Sequence, residues 1–188
     1  ANACVFVNAA DVGARGIELP DAIDGSKDLL ARLQAIRIAA SLAMGITKTA
    51  AEAERSTSVP FVGFVTPPQD APTLSGETLR GADADLTGRV LSNGQAHRAL
   101  PLTLSLCMAV AAQIEGSVVY EAARKPRPGA AIRIAMPSGV LFVGANVKRE
   151  ANRWHAQSGE FYRTQRRLFE GRVLVRGSRV AADRKSTR

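Results

Sequence analysis

The apolar and polar positions of this chain fall into many short blocks. Val5-Phe6-Val7 is an apolar run of strand type, and the stretch from Asp11 to Pro20, with two glycines, reads as a loop. Ser26 can cap a helix beginning at Lys27, in which Leu29, Leu30, Leu33, Ile36, Ala40 and Met44 recur at helical spacing. Gly45 is placed to end it in the left-handed conformation. Residues 52–58 are polar and predict loop. Val59 to Val65 is strand-like and Pro67-Pro68 stops it; residues 69–84 predict a surface excursion. Val90-Leu91 predicts a strand closed by a turn at Asn93-Gly94. Beyond it lie a helix near 103–115, an alternating strand-like stretch at Ser117 to Ala122, a Pro-rich turn at 125–129, and short strands at 132–134, 140–143 and around Trp154. A second amphipathic helix is expected over Phe161 to Phe169, with a last strand-like run at 173–175. Many short strands, few helices and no regular strand–helix alternation predict an α+β fold.

The segment 103–115, TLSLCMAVAAQIE, changes this picture most. It is apolar on nearly every side, so it predicts a helix buried on every side, with Cys107 and Val110 out of water. Among short strands, the natural arrangement is a central buried helix wrapped by a curved antiparallel sheet. Thr103 is the expected N-cap. A buried helix start presents unpaired N–H groups and a partial positive charge, which a carboxylate complements. His97 and Arg98, just upstream, would add donors and charge, and Arg grips a carboxylate through two parallel hydrogen bonds. The alternative is that Thr103 only caps, Ser105 bonds to backbone and Arg98 is a surface base.

Composition narrows the choices. The length of 188 residues suits one domain or one large lobe, and 46% hydrophobic residues with only 5% aromatics imply a core of Ala, Val, Leu and Ile. The net charge of +8 is a property of the tail: residues 163–188 carry nine Lys or Arg and two acids, against sixteen bases and fifteen acids elsewhere. Phe169 is the one aromatic among those residues, so aromatics are not interleaved with the charges, which favours a solvated end over a nucleic-acid-binding arm. Cys4 and Cys107 form no CxxC motif and, with two His, supply too few ligands for zinc; both read as buried small hydrophobes in a reducing, cytoplasmic setting. The longest uncharged stretch, Ala99 to Ile114, is short for a membrane span. The chain opens almost directly on a strand, without a charged leader, so a piece of a longer chain is expected.

The run SNGQAHRALPLTLSLCMAVAAQIEGSVVYEAAR resembles the central signature of the 2-methylaconitate cis–trans isomerase family. That family includes 4-oxalomesaconate tautomerase-like members and shares the diaminopimelate-epimerase-like fold. NACVFVNAADVGARGIELPD, VPFVGFVTPP, MPSGVLFVGA and FYRTQRRLFEGRVLV match its segments in order, so the similarity covers residues 1–176 and leaves 177–188 as a basic tail. The resemblance implies a C-terminal lobe of a two-lobed enzyme, whose substrate lies between two helix N-termini. It also implies that the first lobe, with most acid–base groups, is absent. Asn2 is then either a substrate-facing amide or a turn former, and Ser138-Gly139 either a ligand contact or a hairpin turn. The family's Asn-Pro-Cys start is Asn2-Ala3-Cys4 here, and its Thr-Gly at the helix start is Thr103-Leu104. Leu104 can still offer its backbone N–H, although its side chain could crowd the pocket. Met136 replaces a His before Pro-Ser-Gly, and Leu102 stands near the catalytic Cys of the wider epimerase fold. His155 reads as a surface residue; Arg163, Arg166 and Arg167 read as a solvated helix face or a contact to the missing lobe.

The expected activity is therefore a cofactor-independent and metal-independent isomerase acting on a small unsaturated di- or tricarboxylic acid. A base would remove a proton next to a carboxylate and an acid would return it elsewhere. Asn2, His97, Arg98, Thr103, Leu104, Ser105, Ser138 and Gly139 are the candidate substrate contacts; no acid–base residue is identified, and the lone lobe is expected to be inactive. An exposed lobe face predicts self-association into homo-oligomers. The rival reading is a free-standing, non-catalytic lobe that binds a small polyanion or nucleic acid.

Overall fold

The computed structural model describes residues 2–124, 130–162, 167–172 and 174–176. The expected turn at 125–129 and the tail at 177–188 lie outside the described residues. In chain order the elements are β1 (Cys4–Asn8), α1 (Pro20–Asp24), α2 (Lys27–Ala43), α3 (Ala50–Arg55), β2 (Phe61–Thr66), β3 (Ala71–Pro72), β4 (Thr78–Leu79) and β5 (Leu86–Ser92). They continue with β6 (Gln95–Ala96), α4 (Leu102–Ala111), α5 (Val118–Ala122), β7 (Ile132–Met136), β8 (Gly139–Glu150) and β9 (Arg153–Phe161). One seven-stranded sheet runs β1-β2-β5-β7-β8-β9, with β6 folded onto β5. It curls around α4, as the α+β expectation required. The β2–β5, β5–β6, β7–β8 and β8–β9 pairs are antiparallel, while β1–β2 and β5–β7 are parallel.

Strand alternation assigns each side chain to a layer. Phe61 and Val65 of β2, Leu86 and Val90 of β5, Ile132 and Ile134 of β7, and Leu141 and Val143 of β8 face α4. From the helix, Leu104, Met108, Ala109 and Ala112 fill the same core. The opposite side chains, Val62, Phe64 and Leu91, pack on Leu29 and Leu33 of α2 and Ile23 of α1. The sheet centre is thus buried on both faces, which explains why β2 and β5 read as near-continuous apolar runs. Gly88 lets α4 approach: a Cβ there would lie 3.0 Å from Met108 Cε. Asn93 and Gly94 both have positive φ (51° and 75°) and close the β5–β6 hairpin as their sequence predicts.

Several expectations are corrected. Residues 118–122 form α5, because the Ser117 hydroxyl accepts from the Tyr120 N–H and nucleates a turn despite the alternating pattern. Residues 50–55 are helical where loop was expected; Thr49 caps them, and buried Arg37 of α2 donates to the Ala53 and Ser56 carbonyls. Phe161 ends β9, and residues 167–172 are irregular, so no helix covers the described part of 161–169. Leu174 and Val175 are likewise not in a strand.

The burial of α4 is also one-sided. The sheet and α5 cover Leu104, Ser105, Met108 and Ala109, but Leu106, Cys107 and Val110 are only half-buried. They line an open groove of about 610 Å³ with Asn2, Cys4, Phe6 and Ile114. A helix apolar all round is here enclosed on one side by strands and left facing an apolar trough on the other.

Candidate functional site

The start of β1, the end of β5 and the turn after β7 meet around the beginning of α4. The N-cap lies two residues earlier than its sequence suggests: it is Pro101, and Thr103 lies inside the first turn. Proline provides no side-chain acceptor, no capping hydrogen bond forms, and the first turn contains no acid. The first helical bond is Ser105 N–H to the Pro101 carbonyl (2.9 Å), so the N–H groups of Leu102, Thr103 and Leu104 have no acceptor within the helix. α3 and α5 are capped by Thr49 and Ser117, whereas α1 and α2 also lack a side-chain cap, the expected Ser26 bond included, but carry an acid in the first turn, Asp21 and Asp28.

Freed from capping, the exposed Thr103 accepts from the Asn2 side-chain amide at 3.1 Å. This contact spans the chain from residue 2 to residue 103 and fixes the approach to β1 against the helix start. Leu104 is fully buried, backbone included, so its side chain leaves the pocket clear and its N–H lies beneath the surface. Ser105 is fully buried too, and its hydroxyl donates to the Leu102 carbonyl at 2.7 Å. Its N–H and hydroxyl are therefore spent inside the helix, and it supports the turn instead of reaching outward.

His97 and Arg98 behave differently from each other. The His97 ring shares a hydrogen bond of 2.7 Å with the Ser92 hydroxyl and lies 6.0 Å from the Phe61 ring. Burial pushes its pKa below the ordinary histidine value, so it adds no charge at neutral pH, contrary to expectation. Arg98 points toward Asp21 of α1 at 3.9 Å, with both side chains mostly exposed. Such a loose surface pair is worth little and leaves the guanidinium available.

Ser138 is exposed in the β7–β8 turn and Gly139 pairs with Met136 at its base; Gly139 has φ 126°. Met136 Sδ accepts from the Leu100 N–H at 3.3 Å, which brings this turn to the segment leading into α4. The register of β7 is held by Asp85, whose carboxylate accepts from the Arg133 backbone N–H (2.9 Å), Nε (3.1 Å) and Nη2 (2.7 Å). Burial pushes Asp85 up, but the Arg133 hydrogen bonds and the charges of Arg133 and Arg124 outweigh it and hold the carboxyl below its usual range.

Sequence reading missed one feature of this site. Cys4 and Cys107 are neither fully buried nor separate: both thiols donate to the Asn2 carbonyl, at 3.2 and 3.1 Å. Only the sheet order and the seat of α4 bring them together; the available signal was that each belongs to an apolar element flanking the candidate site. Among the described residues no group of three or more His, Cys, Asp or Glu stands together, and no helix is long and apolar enough to cross a membrane. His155 is half exposed and lies 3.9 Å from Glu150, a surface placement. Arg167 pairs with Glu170 in solvent; Arg163 and Arg166 lie outside the described residues.

The chain is 36% identical to 3-methylitaconate isomerase of Eubacterium barkeri, a match covering 96% of this chain and 47% of that protein. It is 37% identical to 2-methyl-aconitate isomerase of Shewanella oneidensis, over 91% of this chain and 43% of the relative. A crystal structure of methylitaconate-delta-isomerase superposes with a TM-score of 0.75 at 34% identity, covering 85% of this chain and 43% of that one. The chain thus spans about half the length of the curated relatives it matches. A family model described as PrpF protein matches residues 1–176, and this chain belongs to that family.

Proposed function

We propose that this chain supplies the carboxylate-holding half of an isomerase site for a small unsaturated di- or tricarboxylic acid. The observation that carries the reading is the uncapped start of α4: three N–H groups without an intrahelical partner, no acid in the turn, and Asn2 anchored beside them. A substrate carboxylate would satisfy these donors and the helix dipole together. Arg98, held only by a loose pair to Asp21, can swing to add a charged contact, and the Leu100–Met136 contact brings the β7–β8 turn with Ser138 and Gly139 to the segment leading into α4. The relatives' names supply the substrate class, since methylitaconate and methylaconitate are both unsaturated polycarboxylates.

In this reading the helix start does not move the proton. It stabilises the negative charge that spreads onto the carboxylate when the adjacent carbon is deprotonated, so the double bond can shift before reprotonation. Among the candidate residues of this lobe, His97 is tied to Ser92 and Leu102 cannot transfer a proton, so the acid–base pair is assigned to the lobe that the longer relatives contain. The test is deuterium incorporation and double-bond migration in methylitaconate or methylaconitate, followed by proton NMR in heavy water. The 188-residue chain alone should give no turnover, and the same chain joined to a first lobe should give both signals. Turnover by the lone chain would overturn the half-site reading; an inactive but well-folded two-lobed protein would overturn the assignment of substrate class.

A further inference from the structure

We infer that Cys4 and Cys107 form a redox-sensitive dithiol that closes to an intrachain disulfide under a hydroperoxide, and that the closure is felt at the start of α4 through Asn2. The chemistry of the pair does not depend on the function proposed above. β1 turns Cys4 and Phe6 toward α4, and Cys107 lies one turn into that helix on the side facing the groove. Both thiols donate to one acceptor, the Asn2 carbonyl, at 3.2 and 3.1 Å, which gathers the two sulfurs around a single oxygen. Both are half-buried at the wall of an open apolar groove of about 610 Å³, so a small oxidant can reach them.

The two sulfurs are unequal. When Cys107 loses its proton, the Cys4 S–H can turn from the Asn2 carbonyl to the Cys107 sulfur; that hydrogen bond lowers the Cys107 thiol to about 7 despite burial, while the same bond and burial push Cys4 well above the ordinary thiol range. Near neutral pH Cys107 is thus the thiolate nucleophile and Cys4 the proton-bearing partner. The Cys107 thiolate attacks one peroxide oxygen, the O–O bond breaks, and a proton is taken up to give a sulfenic acid and water. The Cys4 sulfur then attacks the sulfenic sulfur, forming the S–S bond and releasing a second water. The two thiols together lose two electrons, and the peroxide gains them. Neither sulfur can then donate to the Asn2 carbonyl, while the Asn2 side chain is the group that holds Thr103.

The test uses the folded 188-residue chain with equimolar hydrogen peroxide, followed by thiol titration and peptide mapping without reductant. The expected result is loss of both thiols together, a Cys4–Cys107 cross-link within one chain that dithiothreitol reverses, and shifted NMR signals of the Asn2 side-chain amide and Thr103. In Cys4→Ala, Cys107 should stop at the sulfenic or sulfinic acid, and its alkylation by iodoacetamide at pH 7 should slow roughly tenfold on losing its donor. Persistence of both free thiols, cross-links between chains only, or an unchanged Cys107 alkylation rate in Cys4→Ala would overturn the inference. The wild-type arm stands whether or not the variant folds.

Discussion

Replacing Asp85 should destabilise the fold and loosen the part of the site that depends on β7. The parallel β5–β7 pairing has only two matched positions, Leu86 with Ile134 and Thr87 with Ala135. Asp85 reinforces it from the edge, with its carboxylate on three Arg133 donors and its own N–H donating to the Arg133 carbonyl at 2.7 Å. The carboxylate side chain is 8% exposed and that of Arg133 is 32% exposed. Removing one partner of a fully buried pair costs about 3–5 kcal/mol, and partial hydration of Arg133 brings the expectation for Asp85→Ala to about 2–4 kcal/mol. Asp85→Asn keeps an acceptor and should lose about half of that. For a chain of this size the alanine variant should melt roughly 5–12 °C lower. The folded pKa of Asp85 lies below its ordinary value, so its contribution is fully present above about pH 4 and is lost as pH falls through the folded value. Urea titrations followed by circular dichroism, at neutral pH and at acid pH, give both numbers. A loss below about 0.5 kcal/mol at neutral pH, with an unchanged denaturant slope, would refute the view that this clamp sets the β5–β7 register.

Arg98→Ala in a two-lobed enzyme should lower kcat/KM about ten- to hundredfold, the size of a charged hydrogen bond of about 1.5–3 kcal/mol, with an unchanged melting curve because the Asp21 pair is loose and exposed. Arg98→Lys should recover only part of the loss, since an ammonium cannot bind in a fork; full activity in the alanine variant would make Arg98 a surface base. Gly81→Ala would place a Cβ 2.7 Å from the Gln69 Cα, a backbone atom, and should cost about 2–3 kcal/mol; Gly88→Ala meets only the flexible tip of Met108 and should cost less than about 1.5 kcal/mol. Equal melting temperatures for the two glycine variants would contradict the packing account. The isolated chain should self-associate through the α4 groove, where Leu106 and Val110 are left half-covered, and sedimentation at high concentration showing a clean monomer would count against it.

How much of this was legible in the sequence follows from the range of the forces involved. The helix α2, the strands β2 and β7 and the first third of β8 declare themselves through local periodicity, while the rest of β8, from Gly144 to Glu150, was not expected. The α4 segment was recognisable because apolarity on every side has few other solutions. α5 was misread because six residues with two valines alternate as well in a helical turn as in a strand, and the Ser117 cap decided the matter. α3 was misread because its stability comes from Arg37, sixteen residues upstream of Ala53 and packed beneath it. At the candidate site, the proximity of Asn2 to Thr103 was implied only by family resemblance, and the meeting of Cys4 with Cys107 required the strand order. The direction of Arg98, toward Asp21, depends on where α1 packs, which no local pattern encodes.

Whether the start of α4 holds a carboxylate is decided by a nitrogen–proton NMR titration of the chain with methylaconitate or methylitaconate. A half-site should bind with a millimolar Kd, equivalent to about 4 kcal/mol. The backbone amides of Leu102, Thr103 and Leu104 and the side-chain amide of Asn2 should shift together along one saturating curve. Saturating shifts confined to the Lys148–Arg153 end of the β8–β9 hairpin, or to the apolar groove, with the α4 start unmoved, would contradict it.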